Sequence, residues 1–464
     1  MGKSSNEIDM LHGPLLMKII IFAMPLAASS ILQQLFNSVD VAVVGHFASS
    51  QALAAVGSNG PVISLLINLF MGVSMGANVI ISNHIGQKDG KSIQDAVGTI
   101  GVVALACGIA LLIIGVAVAR PILTLMGTPA DVLPMAVTYL QIYFLGIPFF
   151  MIFDFGAAIL RSKGDTRRPL YILMVSGVVN TVLNLVFVIC LHLGVAGVAI
   201  ATAIANGVSA LLIVRLLLHE GEPYTLHPKQ MHIKWGELKR MLQIGIPAGM
   251  QGVIFSISNV LLQSTINKHG ADAVAGSAAA LNFEYYCYFI MVAFNGAAIS
   301  FIGQNYGAGK MDRVKRIYWT CMLLGVGLSA LANFIFVWQS TPFLHLFSSD
   351  PAVCRYGAAR MHIVLATQFI ACSYEISGSA LRGMGRSMLP TVLTVFGTCM
   401  LRVAWVYIVC PIWPTFDAIM MVYPISWVVT GTMVCTAYAI HIRKILRKER
   451  TRTTHADAMA SITE

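Results

Sequence analysis

The sequence predicts an all-α membrane protein of twelve transmembrane helices, arranged as two six-helix bundles related by a parallel repeat. Three observations predict it: a train of long apolar windows, basic residues confined to alternate connections, and a register that recurs after about 221 residues.

The windows come first. With 57% hydrophobic residues, 11% charged ones and a mean hydropathy of +0.77, the chain is too apolar for an ordinary soluble globule. Stretches of about 19 nearly uncharged residues, each able to cross a hydrocarbon core of roughly 30 Å as a helix, recur twelve times. They are expected at 15–44, 54–82, 93–119, 132–160, 169–191, 195–218, 238–266, 273–302, 314–338, 356–381, 388–412 and 418–442.

The formal charge of +10 is not spread like a nucleic-acid footprint. About 25 of the 30 Lys and Arg residues fall on one side, that of the N-terminus, the even-numbered connections and the tail, among them Arg161, Lys163, Arg167, Arg168, Lys310, Arg313, Lys315 and Arg316. That asymmetry predicts both termini in the cytosol. Arg120, Lys268 and Arg355 are left for the other face, and Arg402 falls inside a span. The nine cysteines show no CxxC or ligand-like spacing and read as small apolar fillers. No cleavable signal is expected, because the first apolar run is too long for an h-region. The start Met1-Gly2-Lys3-Ser4-Ser5-Asn6 misses the myristoylation pattern at Asn6.

The repeat sets the architecture. Leu160-Arg161-x-x-Gly164 followed by Pro169 recurs as Leu381-Arg382-x-x-Gly385 followed by Pro390. Pro121 pairs with Pro342, Asp154 with Glu375, Pro25 with Pro247, and Ile85-Gly86-Gln87 with Ile302-Gly303-Gln304. Six spans per copy bring both copies in from the same side. The expected units are a first lobe over 1–218, a cytoplasmic linker over 219–237 with a short amphipathic entry to the seventh span, a second lobe over 238–442, and a basic tail over 443–464.

Ionisable groups at membrane depth cost on the order of 2.5–3.5 kcal/mol each on insertion scales, which makes them functional candidates. Asp40, Asp154, Glu284 and Glu375 are the deep carboxylates, with Arg402 as the deep base. Asp40 lies beyond the kink expected at Pro25, and Asn37 stands one turn earlier on its face. The second half has Asn259 opposite Asn37 but Leu262 opposite Asp40, so one lobe alone carries this acid. Asn180 and Asn184, one turn apart in the fifth span, and Thr202 in the sixth can gather with it around a small hard cation, which makes these four the metal-ligating set if Na⁺ is the ion. The same carboxyl, desolvated, can instead carry a proton. A purely structural Asp that ties helices together is the bland alternative.

Asp154 and Glu375 each precede the Arg of their Leu-Arg motif by two helical turns, a symmetry that suits a structural pair as well as a substrate contact. Glu284, with Tyr285 and Tyr286 beside it, suits a lipophilic cation through charge and ring faces. A buried pair with Arg402 is its alternative. Tyr139 and Gln33-Gln34 are possible cavity groups, and the 24 Met residues could form an adaptable wall, although most belong to core or lipid-facing positions. The run Gly86-Gln87-Lys88-Asp89-Gly90-Lys91-Ser92 resembles a P-loop but is one residue short and joins two apolar helices, so it reads as a turn. No nucleotide engine is visible, and uphill transport would draw on ion gradients.

Several of these segments occur together in one known group. Pro25 with Asp40 and Gly45, the run Ala52-Leu53-Ala54-Ala55-Val56-Gly57, the motif spanning 160–169, and Gly303-Gln304-Asn305-Tyr306-Gly307-Ala308-Gly309 resemble the multidrug and toxic compound extrusion (MATE) family, over about residues 12 to 445. The resemblance implies two six-helix lobes that export cationic or amphiphilic compounds by H⁺ or Na⁺ antiport, with no cofactor beyond the transported ion. It implies a multi-pass monomer in a prokaryotic inner membrane, whose partners are small molecules, the coupling ion and the bilayer. In similar prokaryotic members the first-helix acid, here Asp40, couples to the cation, joined by the positions of Asn180, Asn184 and Thr202. Where some relatives carry Asp at the position of Asn184, this chain has an amide. In the seventh helix, where certain members place an acid, it has Gln251.

Two other readings compete. A lipid-linked oligosaccharide flippase would want more Arg and Lys at depth for pyrophosphate than the windows contain. A membrane enzyme or receptor would want a His and acid cluster with catalytic or metal spacing, which is not found.

Overall fold

The computed structural model describes residues 7–463, with the side chains of Ser50, 448–450 and 452–463 outside the description. The Met1–Asn6 segment weighed for acylation, and the side chains of Lys448, Arg450 and Arg452 in the basic tail, therefore lie outside the described residues. The described residues are almost wholly helical. In chain order, α1 is Leu15–Phe47, α2 Ser50–Gln87 and α3 Gly90–Leu125. Helix α4 is the pair Leu133–Leu145 and Ile147–Lys163, bent by 44°. Helix α5 is Arg167–Leu185, prolonged by a π turn Val186–Cys190, and α6 is Gly194–Leu218. In the second half, α7 is Trp235–Asn267, α8 Ala271–Gly307 and α9 Met311–Trp338. Helix α10 runs Pro351–Ile363, through a 3₁₀ stretch Leu365–Ile370, to Ala371–Gly383. Helix α11 is Met388–Thr394 and Leu401–Ile408 about a π turn Val395–Met400, and α12 is Phe416–Met420 with Val422–Thr463.

Among the described residues, ten single helices are long and apolar enough to cross a bilayer, and the bent pair of α4 makes an eleventh. The twelfth expected span is α10, whose 3₁₀ stretch interrupts the regular hydrogen-bond ladder. Most helices overrun their expected windows by several residues, because their ends are polar caps that the hydropathy of the spans cannot register. Ser49 caps α2 by accepting from the Ala52 amide, and Asp89 opens α3 by accepting from Ser92 N at 3.1 Å. The expected linker is short: α6 stops at Leu218 and α7 starts at Trp235. Its last residues are tied to α3, with Lys234 N donating to Thr99 Oγ1 at 3.0 Å.

The repeated Leu-Arg-x-x-Gly motif has a local explanation. Gly164 N donates to Arg161 O at 3.1 Å and Asp165 N to Leu160 O at 3.0 Å. Gly385 N donates to Arg382 O and Arg386 N to Leu381 O, both at 2.8 Å. Each is the paired closure of a helix C-terminus that needs a left-handed residue, met by Gly164 at φ +102° and Gly385 at φ +79°.

Two large cores serve two lobes. One is built on α2 to α6 but also takes Val43 and Val44 of α1, Met241 and Ile244 of α7 and Ile299 of α8; the other is built on α8 to α12 but also takes Ile19, Phe22 and Ala23 of α1 and Leu262 and Ile266 of α7. Helix α1 thus packs its first half against the second lobe, with Phe22 and Phe301 edge-on at 5.4 Å, before its second half joins the first.

The lobes meet on the face that carries both chain ends. There α2 and α7 lie backbone to backbone: a Cβ on Gly72 would overlap Gly245 O and Gly249 N, and one on Gly249 would overlap Leu69. Gly86 and Gly307 bring α2 equally close to α8. Gln304 Nε2 donates to Ser162 O at 2.7 Å, Ser300 Oγ to Asn78 Oδ1 at 3.2 Å, and Asn68 Nδ2 to Ser256 Oγ at 3.3 Å. The segment before α1 is clamped on the same face, by Asn305 and Arg313 on Met10 O and by Lys310 on Leu11 O. Toward the opposite face this seam stops. Gly57 and Gly60 of α2 have nothing within 4 Å of where a Cβ would stand. The close approach of the lobes is thus on the terminal face, and α2 is freed from it toward the other.

Candidate functional site

Asp40 sits on α1 past Pro25, in the part of the helix that has left the seam and packs into the first lobe. It is 7% exposed. Asn184 Nδ2 donates to Asp40 Oδ1, and Thr202 Oγ1 lies 3.5 Å from Oδ2. Asn184 Nδ2 also reaches Asn180 Oδ1 at 3.2 Å, and Asn180 Nδ2 donates to Thr202 Oγ1 at 3.2 Å. The four polar residues singled out in the first, fifth and sixth spans therefore form one closed circuit. One turn of helix sets Asn180 and Asn184 on a common face, as the spacing requires. Asn37 is not part of it: the residue is exposed, and among the described residues no hydrogen bond joins it to Asp40.

No Lys, Arg or His pairs with Asp40 among the described residues. The circuit also leaves one buried acceptor unused, Asn184 Oδ1, beside the carboxylate. An unpaired oxygen there has the chemistry to accept a proton carried by Asp40 or, with the carboxylate and the other side-chain oxygens, to face a small cation. The rings of Tyr139 and Tyr143, stacked at 6.1 Å, lie within electrostatic reach of the acid.

The other deep carboxylates differ. Asp154 accepts from Arg161 Nη2 at 3.3 Å, the pair expected from its spacing. Its repeat mate does not copy it. Glu375 accepts from Asn295 Nδ2 at 3.2 Å, while Arg382 Nη2 is taken up by Gln251 Oε1 at 2.6 Å. Gln251 is thus a buried anchor for that arginine.

Glu284 does not pair with Arg402, the partner weighed from sequence. It is gripped on both oxygens by Arg360, Nε to Oε1 at 2.6 Å and Nη2 to Oε2 at 2.9 Å, and Arg360 Nη1 donates to Ser277 Oγ at 2.7 Å. A carboxylate already neutralised by a bidentate guanidinium has little charge left for a cationic ligand. Tyr285 beside it is exposed and Tyr286 half-buried. Arg402 instead donates to Asn259 Oδ1 at 3.0 Å and lies over the Tyr423 ring at 4.6 Å. Sequence reading missed Arg360 as a deep base and under-counted such bases: Arg360, Arg382 and Arg402 are all buried. Of these, Arg360 and Arg402 stand inside apolar windows, Arg360 only four residues past the start of the tenth, whereas Arg382 lies just beyond that window in the closing turn of α10.

Comparison with known proteins places the fold and the family. The family model described as MatE matches residues 25–186 and again 247–408. The chain is 28% identical over 392 residues to the probable multidrug resistance protein YoeA of Bacillus subtilis strain 168, covering 81% of this chain and 83% of that one. It is 25% identical over 397 residues to the probable multidrug resistance protein NorM of Thermotoga maritima, covering 84% and 85%. Among solved structures, one described as the outward-facing conformation of a multidrug resistance MATE family transporter superposes with a TM-score of 0.88 at 20% identity, over 96% of this chain and all of that chain.

Proposed function

We propose that this chain, which belongs to the MatE family of multidrug efflux transporters, moves small organic cations or amphiphiles outward in exchange for H⁺ or Na⁺, with Asp40 as the coupling residue. The observation that carries the proposal is the Asp40 circuit: a buried carboxylate without a basic partner, held by Asn184 and Thr202, beside an unpaired carbonyl oxygen. A charge so placed is costly unless a proton or a cation shares it. Occupancy by the ion and the arrangement of the surrounding helices are then linked, which is the requirement for drawing work from a gradient. Asn180 serves as the second-layer partner that orients Asn184 and Thr202.

The two lobes, which meet along the terminal-face seam, would be the moving parts of an alternating-access cycle. With the basic connections placed on the cytosolic side of an inner membrane, that seam would be the cytosolic closure of the pathway. Substrate would bind between the lobes, with Asn37 and Tyr285 exposed and free to contact it, while Glu284, Gln251, Asp154 and Glu375 act as buried structural pairs or anchors.

The test is efflux of ethidium from proteoliposomes under an imposed pH gradient and then a Na⁺ gradient. Asp40→Asn is expected to abolish gradient-driven efflux while the protein still inserts and elutes as a single species. Parent-like efflux from that variant would remove Asp40 from the coupling role.

A further inference from the structure

The second lobe buries a charge of the opposite sign, Arg402, where the first lobe carries Asn180, one of the residues grouped with Asp40. The register of the two halves is 222 at Pro25 and Pro247, 221 at Pro169 and Pro390, and 222 again past the π turn Val395–Met400, which accommodates an extra residue. At that register Leu262 stands for Asp40, Val406 for Asn184 and Arg402 for Asn180. Apolar side chains thus replace the acid and its amide, and a guanidinium enters.

Arg402 is 2% exposed, yet no carboxylate lies within ion-pair distance of it among the described residues. Glu284, the acid of the same cluster, is consumed by Arg360. The guanidinium is held by Asn259 Oδ1 and by the faces of Tyr423 at 4.6 Å and Phe255 at 5.6 Å, and its Nε has no hydrogen-bond partner. These contacts position the cation without neutralising it. Its holder Asn259 is exposed and continues the heptad of Gly245 and Gly252, the α7 positions that face α2 along the seam, into the gap beyond the seam. Arg402 therefore lies directly behind the cleft surface.

We infer that Arg402 is the receptor for an acidic group, a carboxylate or phosphate, on a transported compound whose basic end is drawn toward the lobe of Asp40. The inference rests on the export reading above and narrows its substrate class to zwitterions and amphiphiles with an acidic end.

Two dye pairs that differ only in an ester test it: rhodamine 110 against its methyl ester rhodamine 123, and rhodamine 19 against its ethyl ester rhodamine 6G. Binding to the full chain in nanodiscs is read by fluorescence polarisation without any gradient, so a failure of ion coupling does not affect it. The parent is expected to bind each free acid about tenfold more tightly than its ester. Arg402→Gln should erase that ratio and leave the ester affinity within about twofold, and Arg402→Lys, which keeps the charge, should retain part of it. A parent with no preference for the acids, whether it binds both or neither, overturns the inference. So does an acid-to-ester ratio that survives in Arg402→Gln, or an equal loss of acid and ester. Lipid phosphate shares this chemistry, so the series is repeated with and without phosphatidylglycerol. A preference seen only in its absence assigns the site to lipid and overturns the substrate reading.

Discussion

His84 Nε2 and Glu237 Oε2 stand 2.9 Å apart across the seam, joining α2 of the first lobe to the first turn of α7. Both side chains are largely buried, and Gln87 Oε1 lies 3.3 Å from the other ring nitrogen of His84. The contact must break whenever the terminal face opens. A charge-assisted hydrogen bond contributes about 1.5–3 kcal/mol, so His84→Ala should raise the open-to-closed ratio on that face by roughly tenfold or more. Spin-label distances between the α2–α3 and α6–α7 connections measure it; an unaltered distance distribution would deny the contact any latching role.

The glycine seam gives a sterically sharper expectation. Gly72→Val places a branched side chain where only backbone fits, against Gly245 and Gly249. The variant should fold, since each lobe keeps its own core, but should fail to close the terminal face. Loss of transport together with steady thiol-reagent access to a cysteine placed at Gln304 would bear this out, and near-parental transport would contradict it.

Removing one partner of the Glu284–Arg360 pair strands a buried charge, at a cost of about 3–5 kcal/mol. Glu284→Gln should therefore melt earlier in detergent, whatever ligand is present. The double variant Glu284→Gln with Arg360→Met should recover most of the loss. If the single variant keeps its melting temperature and weakens only cation binding, Glu284 belongs to the substrate site after all.

Within the Asp40 circuit the bonds are unequal. Asn184 makes the close contact to Asp40, whereas Thr202 at 3.5 Å is at the limit of a hydrogen bond. Asn184→Ala should depress gradient-driven efflux by on the order of tenfold or more, and Thr202→Val by less than about threefold. The reverse ranking of initial rates would show that the hydroxyl dominates.

Outside the spans, Glu220 is pinned by Lys163 Nζ at 2.6 Å and Arg168 Nη1 at 2.8 Å. Burial pushes its carboxyl up, but the hydrogen bonds and charges of these two bases outweigh it and hold the group below its ordinary value of 4.5. A depressed carboxyl contributes stability that is complete above the unfolded value and fades as pH falls through the folded one. Because Lys163 and Arg168 keep Glu7 and Asp165 as second partners, Glu220→Gln should cost only about 1–2 kcal/mol near neutral pH. Melting curves of parent and variant should converge as pH drops below about 4.5; a gap that persists there would assign the effect to packing.

The grouping of Asp40, Asn180, Asn184 and Thr202 was legible in sequence because each is a polar residue in an otherwise apolar window, where lipid gives a side chain no solvent to turn to. Asp40 and Asn184 are far apart in the chain, yet the need to satisfy both leaves few arrangements. The same logic failed for Glu284, because its true partner Arg360 adjoins Arg355 and Tyr356 near the edge of a window and reads as part of a polar end. Asp154 and Glu375 show the limit of symmetry: identical spacing to the motif arginine yields an ion pair in one half, and in the other Gln251 takes the arginine first. The breaks in α10 and α11 and the closeness of α2 to α7 left no readable mark, since glycine is common throughout these spans and only the tertiary approach reveals which copies are in use.

Because Gly72, Gly76, Gly245 and Gly249 let two main chains touch, the joint has no room for an added methyl where they cross. Parting it also separates the apolar side chains that flank those glycines, Val73 and Ala77 of α2 from Met241 and Ile244 of α7, so an open terminal face must wet a patch that is dry when shut. That cost biases the resting molecule toward the shut joint, and any substitution that fattens the glycine line would slow the cycle before it weakened the fold.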